Sequence, residues 1–215
     1  MPDRNVHARS KPSLKTRVSM LSAATRVLRH SLSAREFLVV LFRYARAGKA
    51  STWDSFPPPS DEKDAGSRDQ LGDAIRVYKA LQSTIGRDRA IAIIHDVVKA
   101  AAIAFLHGTI PVMKRKDLLL MSPEDRRALL ERILDMFPNS DGKIVAFSSD
   151  EFTFQVIRCR FPELLARLGY PELAGAFCTG DIEYFQRFQP DIEASRDTTI
   201  AAGGDRCEFK LRLKT

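Results

Sequence analysis

Cys159, Cys178 and Cys207 are the only cysteines among the 215 residues, and all three lie in the last 57. Each stands in a polar or aromatic setting: Arg158-Cys159-Arg160-Phe161, Phe177-Cys178-Thr179-Gly180-Asp181 and Gly204-Asp205-Arg206-Cys207-Glu208-Phe209. Thiols supply nucleophilic attack and soft-metal ligation, which packing alone does not require. The competing reading is that all three are small buried hydrophobes, the usual fate of a free cysteine. A site requires that the fold draw the three sulfurs around one cavity.

The local pattern gives each thiol a distinct setting. Alternation over residues 206–213 places Cys207, Phe209, Leu211 and Leu213 on the buried face of a strand, with Arg206, Glu208, Lys210 and Arg212 opposite. Cys159 closes a strand just before a helix. Cys178 sits in a break between helical pieces, where Thr179-Gly180-Asp181 leads into a new helix. Backbone N–H groups at a helix start stabilise an anion, so a thiol there is expected to be partly thiolate at neutral pH. Asp181 is then a base, a ligand-orienting group, or only a helix cap. Cys159, Cys178 and Cys207, with Asp181 as an oxygen ligand, also form the donor set of a tetrahedral zinc site. That alternative lacks the short Cys-x-x-Cys chelate, and the favoured expectation is no cofactor. His95 and His107 have no partner at ligand spacing and read as packing or surface residues.

The elements that must position these residues divide at about residue 65. The chain carries a net charge of +7, but residues 1–50 alone carry +9, with eleven Lys and Arg against Asp3 and Glu36. The remaining 165 residues therefore carry −2, and the basicity belongs to an N-terminal arm. Residues 1–16 read as unstructured, and residues 17–47 as a helix with an apolar stretch at 37–42. That stretch is too short to span a bilayer, which takes ~20 apolar residues. Packing onto the core is the favoured reading, contact with a membrane surface the alternative. The Arg- and Ser-rich composition also resembles an organelle transit peptide. No zinc finger, aromatic-basic motif or glycine-rich loop accompanies the charge, which argues against nucleic acid. The odd cysteine count and the lack of a visible secretory signal point to the cytoplasm. Nothing in the pattern sets an oligomeric state.

Residues 51–68, with Phe56-Pro57-Pro58-Pro59-Ser60, read as a stiff and then flexible linker. Helical periodicity follows at 71–85, 87–106 and 122–137, the last opened by Ser122-Pro123-Glu124-Asp125. From residue 143 the period becomes two. A hairpin is expected from strands 143–148 and 152–158, then short helices at 162–169, 171–177 and 181–188, then strands 192–201 and 206–213. The fold class is α+β: N-terminal helices followed by an antiparallel sheet interrupted by short helices. The organisation is a basic arm, helix and Pro-rich linker (1–65) and an α+β domain (66–215).

Four segments together resemble the L-2-amino-thiazoline-4-carboxylic acid hydrolase-like family: Arg158-Cys159-Arg160-Phe161-Pro162-Glu163-Leu164, Leu168-Gly169-Tyr170-Pro171-Glu172-Leu173, Phe177-Cys178-Thr179-Gly180-Asp181, and Thr199 through Phe209. Tyr78-Lys79-Ala80-Leu81 and Ile85-Gly86-Arg87-Asp88-Arg89-Ala90 are similar to the family's upstream helices, and residues 1–65 lie outside the resemblance. Asp197, Glu208 and Lys210 depart from the family pattern. The resemblance implies a hydrolase that opens a cyclic amidine, a 2-amino-thiazoline, to a carbamoyl-cysteine. Its C2 is poorly electrophilic until a ring nitrogen is protonated, so attack needs an acid as well as a nucleophile. The implied roles are Cys178 as nucleophile, Asp181 as the proton-handling group, and Cys159 and Cys207 beside them. Arg196 would grip the substrate carboxylate, with Thr199 as a hydrogen-bond donor. The competing reading of Arg196 is a strand-surface cation. A rival from another class is a small-molecule sensor related to vinyl-reductase-type domains, which binds without turnover.

Overall fold

The computed structural model describes residues 12–48 and 52–215. Six helices come first: α1 (Leu14–Ser31), α2 (Ala34–Arg46), α3 (Glu62–Ile85), α4 (Arg87–Thr109), α5 (Arg115–Leu120) and α6 (Pro123–Asp135). A hairpin of β1 (Ser140–Phe147) and β2 (Glu151–Cys159) follows, then α7 (Arg160–Arg167), a 3-10 segment (Pro171–Cys178) and α8 (Gly180–Phe188). β3 (Ile192–Arg196), a 3-10 turn (Ile200–Ala202) and β4 (Cys207–Leu213) complete the chain. The four strands form one antiparallel sheet in the order β1-β2-β4-β3. This is the expected α+β arrangement, with helices leading.

α4 is the helix around which the others are arranged. It is the one described helix long and apolar enough to cross a bilayer. It packs against α1, α3, the Pro171–Cys178 segment and α8. A helix covered on several sides is apolar on several sides, so this placement accounts for its composition. Ile94, Val97 and Val98 are buried there, in the same cluster as Leu71, Ile75 and Tyr78 of α3.

The N-terminal arm differs from the expectation of a disordered lead followed by one helix. Residues 1–11 lie outside the described residues, but Ser13 caps α1 by accepting from the Thr16 N–H at 3.1 Å. Thr16 is buried against Gly108 of α4, where an added Cβ would lie 2.5 Å from the threonine Oγ1. Leu32 is extended and the helix restarts at Ser33, which forms a reciprocal capping box with Glu36. Ser33-Ala34-Arg35-Glu36 carries that signal in the sequence. The apolar stretch at 37–42 falls within α2 alone. Packing onto the core is seen for Leu28, Leu32 and Val40, whereas Leu38, Leu41 and Phe42 remain exposed.

The expected flexible segment is the first two turns of α3. Asp61 caps it by accepting from the Asp64 N–H at 2.7 Å. Arg68 grips both Asp64 oxygens at 2.9 Å, and its other nitrogen donates to the Pro57 carbonyl at 2.7 Å. The same guanidinium lies over the rings of Trp53 and Phe56. Polar composition suggested disorder because this part of the helix is held by charge and hydrogen bonds instead of an apolar stripe.

The sheet presents one apolar face to the helices. Cys207 stands opposite Val156, Phe209 opposite Phe154, and Leu211 opposite Phe152. The Phe154 and Phe209 rings stack at 4.6 Å. The other face is charged, with Arg212 on Glu193, Lys210 on Asp197 and Gln155 on Glu208. β3 ends at Arg196, five residues short of the expected 201. The Thr199 side chain then accepts from the Ala202 N–H at 3.1 Å and caps a short turn, which Gly203 leaves with φ 89°. The local bonds of that turn, Ala202 N–H to the Thr199 carbonyl and Gly203 N–H to the Ile200 carbonyl, replace the ladder bonds a longer strand would need.

Gly180 brings the site onto α4. An added Cβ would lie 3.2 Å from the Lys99 carbonyl oxygen and 3.3 Å from both Ala102 Cβ and Ile103 Cγ1. Gly180→Val is expected to lower unfolding free energy by about 1–3 kcal/mol in chemical denaturation. Gly175→Ala, with nothing within 4 Å of the added carbon, should change it little.

Candidate functional site

Three separate elements bring the predicted residues to one end of the apolar face. Cys159 ends β2 and Cys207 begins β4, both buried and in the same core cluster. The 3-10 segment runs past them, its Phe177 ring 4.8 Å from Phe161 at the start of α7. Cys178, half-buried, is the last residue of that segment. Arg196 stands opposite Phe209 and so projects to the same inner face, its guanidinium 5.2 Å from that ring. It is not the surface cation of the competing reading, since only 12% of its side chain is exposed.

Arg196 ties the cluster together. One terminal nitrogen donates to Asp181 Oδ2 at 2.6 Å and the other to the Cys178 carbonyl at 2.8 Å. The Asp181 carboxylate is therefore engaged by a cation, and no cap bond from it to α8 is seen. Thr199 caps the turn after β3 and does not join the pair. Two partners had no signal in the sequence: Asn139, whose amide donates to Cys159 Sγ at 3.7 Å, and the Ile200 N–H, which donates to Cys207 Sγ at 3.3 Å. Phe209 beneath Arg196 was legible from the alternation of β4.

The electrostatics run against a resting thiolate. Burial pushes all three thiols up. Cys178 reaches about 12, because the Asp181 charge adds to burial and outweighs Arg196. This corrects the expectation of a lowered thiol pKa at a helix start. Cys178 precedes α8 by two residues, and its Sγ turns back toward the Ala174 carbonyl at 4.0 Å. Cys178 is tied to the strand ends that carry Cys159 and Cys207 through Phe177 on Phe161 and Arg196 on its own carbonyl. Asp181 is itself raised to about 6: burial outweighs Arg196, although 27% of the side chain remains exposed. It is the one carboxyl of this cluster that titrates near neutrality.

The donors do not form a zinc cage. Among the described residues no three His, Cys, Asp or Glu side chains are grouped so as to hold a metal ion, Cys159, Cys178, Cys207 and Asp181 included. His107 lies on the Phe188 ring at 4.3 Å. Of two surface clefts among the described residues, one runs along α1 and one of about 160 Å³ lies between the proline segment and α7. Neither is lined by a cysteine, Asp181 or Arg196.

An antiparallel sheet backed by helices, with an aspartate–arginine pair beside Cys178 at one end of its apolar face, defines an α+β protein. The family model for L-2-amino-thiazoline-4-carboxylic acid hydrolase matches residues 71–211 of the 215, and the chain belongs to that family. All six predicted site residues fall within the match, whereas α1 and α2 lie outside it. No curated protein matches the chain.

Two measurements test these electrostatics. Asp181 is raised above its unfolded value of 3.8, so its contribution favours folding below that value and is lost as pH rises through about 6. Asp181→Asn should remove that dependence, narrowing the stability difference between pH 4 and pH 7 by on the order of 2 kcal/mol. At pH 7.5, alkylation of the native thiols by iodoacetamide should be at least about a hundredfold slower than in the unfolded chain.

Proposed function

We propose that the protein hydrolyses a 2-amino-thiazoline ring of the L-2-amino-thiazoline-4-carboxylate type, with Asp181 as the group that moves the proton. The observation that carries this reading is the 2.6 Å pair of Arg196 with Asp181 beside Cys178, inside the family-matched segment. Arg196 spends two of its N–H groups on Asp181 and the Cys178 carbonyl, leaving others for a substrate carboxylate. A carboxylate arriving there competes with Asp181 for the guanidinium and so frees Asp181 to act on the ring.

Cys178 attacks C2 of the protonated ring as Asp181 takes the thiol proton, and Asp181 returns that proton to the departing ring heteroatom. Water, giving a proton to Asp181, then adds to that amidino carbon, the Cys178 sulfur leaves and takes the proton back, and the carbon becomes the carbamoyl of the product. A carboxyl near pKa 6 suits both transfers, because it accepts and donates near neutral pH. Cys159 and Cys207 line the same neighbourhood as neutral, buried thiols. A second reading keeps Asp181 but makes water the direct nucleophile. It is favoured by the Cys178 thiol standing at about 12 with Sγ turned toward Ala174.

Turnover of L-2-amino-thiazoline-4-carboxylate tests the reading, followed as free thiol with a disulfide reagent. A new thiol reports loss of the ring sulfur, and product without one reports loss of nitrogen. Asp181→Asn should cost about 100-fold or more in kcat, and Arg196→Ala should raise KM and lower kcat together, because it removes the carboxylate grip and the anchor of Asp181. Cys178→Ala should abolish turnover if the thiol attacks, and leave most of it if water does. With Asp181 as base, kcat/KM should rise with pH through about 6. Tight binding by the wild-type chain without product would make the protein a sensor and overturn the hydrolase reading.

A further inference from the structure

Six of the thirteen large hydrophobic side chains left exposed among the described residues lie on α1 and α2. On α2 they are Leu38, Leu41 and Phe42, exposed by 64, 40 and 65%. This is the i, i+3, i+4 spacing of one helical face. Arg35, three residues before Leu38, and Arg46, four after Phe42, extend that face at both ends. On α1 the stripe is Leu14, Val18 and Leu21, at i, i+4, i+7. Farther along the same helix, Arg26, Arg29 and His30 line an open hollow with Ser22 and Thr25.

The charge of these helices selects what could cover them. Residues 12–48 contain seven Lys and Arg and a single acid, Glu36. That carboxylate is already held by the Ser33 cap and by Arg89 at 3.0 Å. A second copy of the chain would bring two such cationic surfaces together, and their repulsion opposes it. None of the six exposed apolar side chains lines the hollow on α1, and single stripes of this kind suit a fluid apolar phase. Arginine beside each stripe can place its stem along the apolar boundary and its guanidinium among phosphates. The body of the chain packs on these helices through Thr16 and Val40, which point away from the stripes, while the α1 stripe gives way to the buried Leu28 farther along the same face.

We infer that α1 and α2 form a docking surface for an anionic lipid bilayer, with Leu38, Leu41, Phe42 and the α1 stripe entering the headgroup boundary. The surface lies outside residues 71–211 and does not depend on the hydrolase reading. It adds a place of action to the chain, next to a bilayer whose inner charge is negative.

The test is co-sedimentation of the full chain with phosphatidylcholine vesicles and with vesicles containing phosphatidylserine, at low and high salt. At low salt the anionic vesicles should take up at least about tenfold more protein, and high salt should weaken the binding. Leu38→Asp with Phe42→Asp should lower binding about tenfold or more, and Arg35→Glu with Arg46→Glu should reduce it and flatten its salt dependence. These side chains are exposed, so unchanged melting by circular dichroism should accompany both variants; the charge-reversal pair decides the question if the aspartates perturb folding. Equal uptake by both vesicles, or uptake unchanged in the charge-reversal variant, would overturn the inference. So would a wild-type dimer, seen by gel filtration, that binds no vesicles and dissociates in the aspartate variant, since a second copy would then be the occupant.

Discussion

The guanidinium of Arg196 holds the candidate site in its arrangement. It is carried by the last residue of β3, lies over Phe209 of the neighbouring strand, and reaches across to α8 and the end of the 3-10 segment. Two donors satisfy two acceptors on different elements, the Asp181 carboxylate and the Cys178 carbonyl. A buried arginine needs such partners, because an unpaired charge away from water costs several kcal/mol. The pair therefore constrains geometry and chemistry together: it fixes where Asp181 and Cys178 stand, and it opposes the burial that raises the Asp181 carboxyl.

That arrangement depends on a close approach made elsewhere. α8 begins at Gly180, whose missing side chain lets the helix start against Lys99, Ala102 and Ile103 of α4. On another side of α4, Gly108 admits Thr16 of α1 in the same way. One apolar helix thus carries the site at Gly180 and the N-terminal arm at Gly108. The arm is joined to the family core by contact along its length, while its own apolar stripes and arginines face outward.

A second set of buried charges secures the path between arm and core. Arg68 links Asp64 to the Pro57 carbonyl, and Arg160, beside Cys159, reaches Asp141 at 3.0 Å. Asp141 also takes Lys63 of α3 at 2.5 Å. Arg167 lies over the Phe56 ring at 4.6 Å. The proline segment is strapped to α3 and α7 by ion pairs and cation–π contacts, which leave no periodic apolar signature. Polar composition alone could not distinguish that strap from a solvated linker.

Much of the fold was written in local patterns. The period change near residue 140, the Ser122-Pro123 helix start and the alternation of β4 each depend on neighbours a few residues apart, and each placed its element correctly. The alternation also set Cys207 and Phe209 on the inner face, and the residue segments around the three cysteines carried the resemblance to the family. What the sequence left open was every relation between distant side chains. Arg196 could read as a surface cation because its partner lies fifteen residues away on another element. Cys178 could read as an activated thiol because the turn of its side chain and its burial are set by packing against α4 and the sheet. Local periodicity fixes which face a residue takes; the ionisation of Asp181 and Cys178 depends on what the fold brings against that face, and only the tertiary structure supplies it.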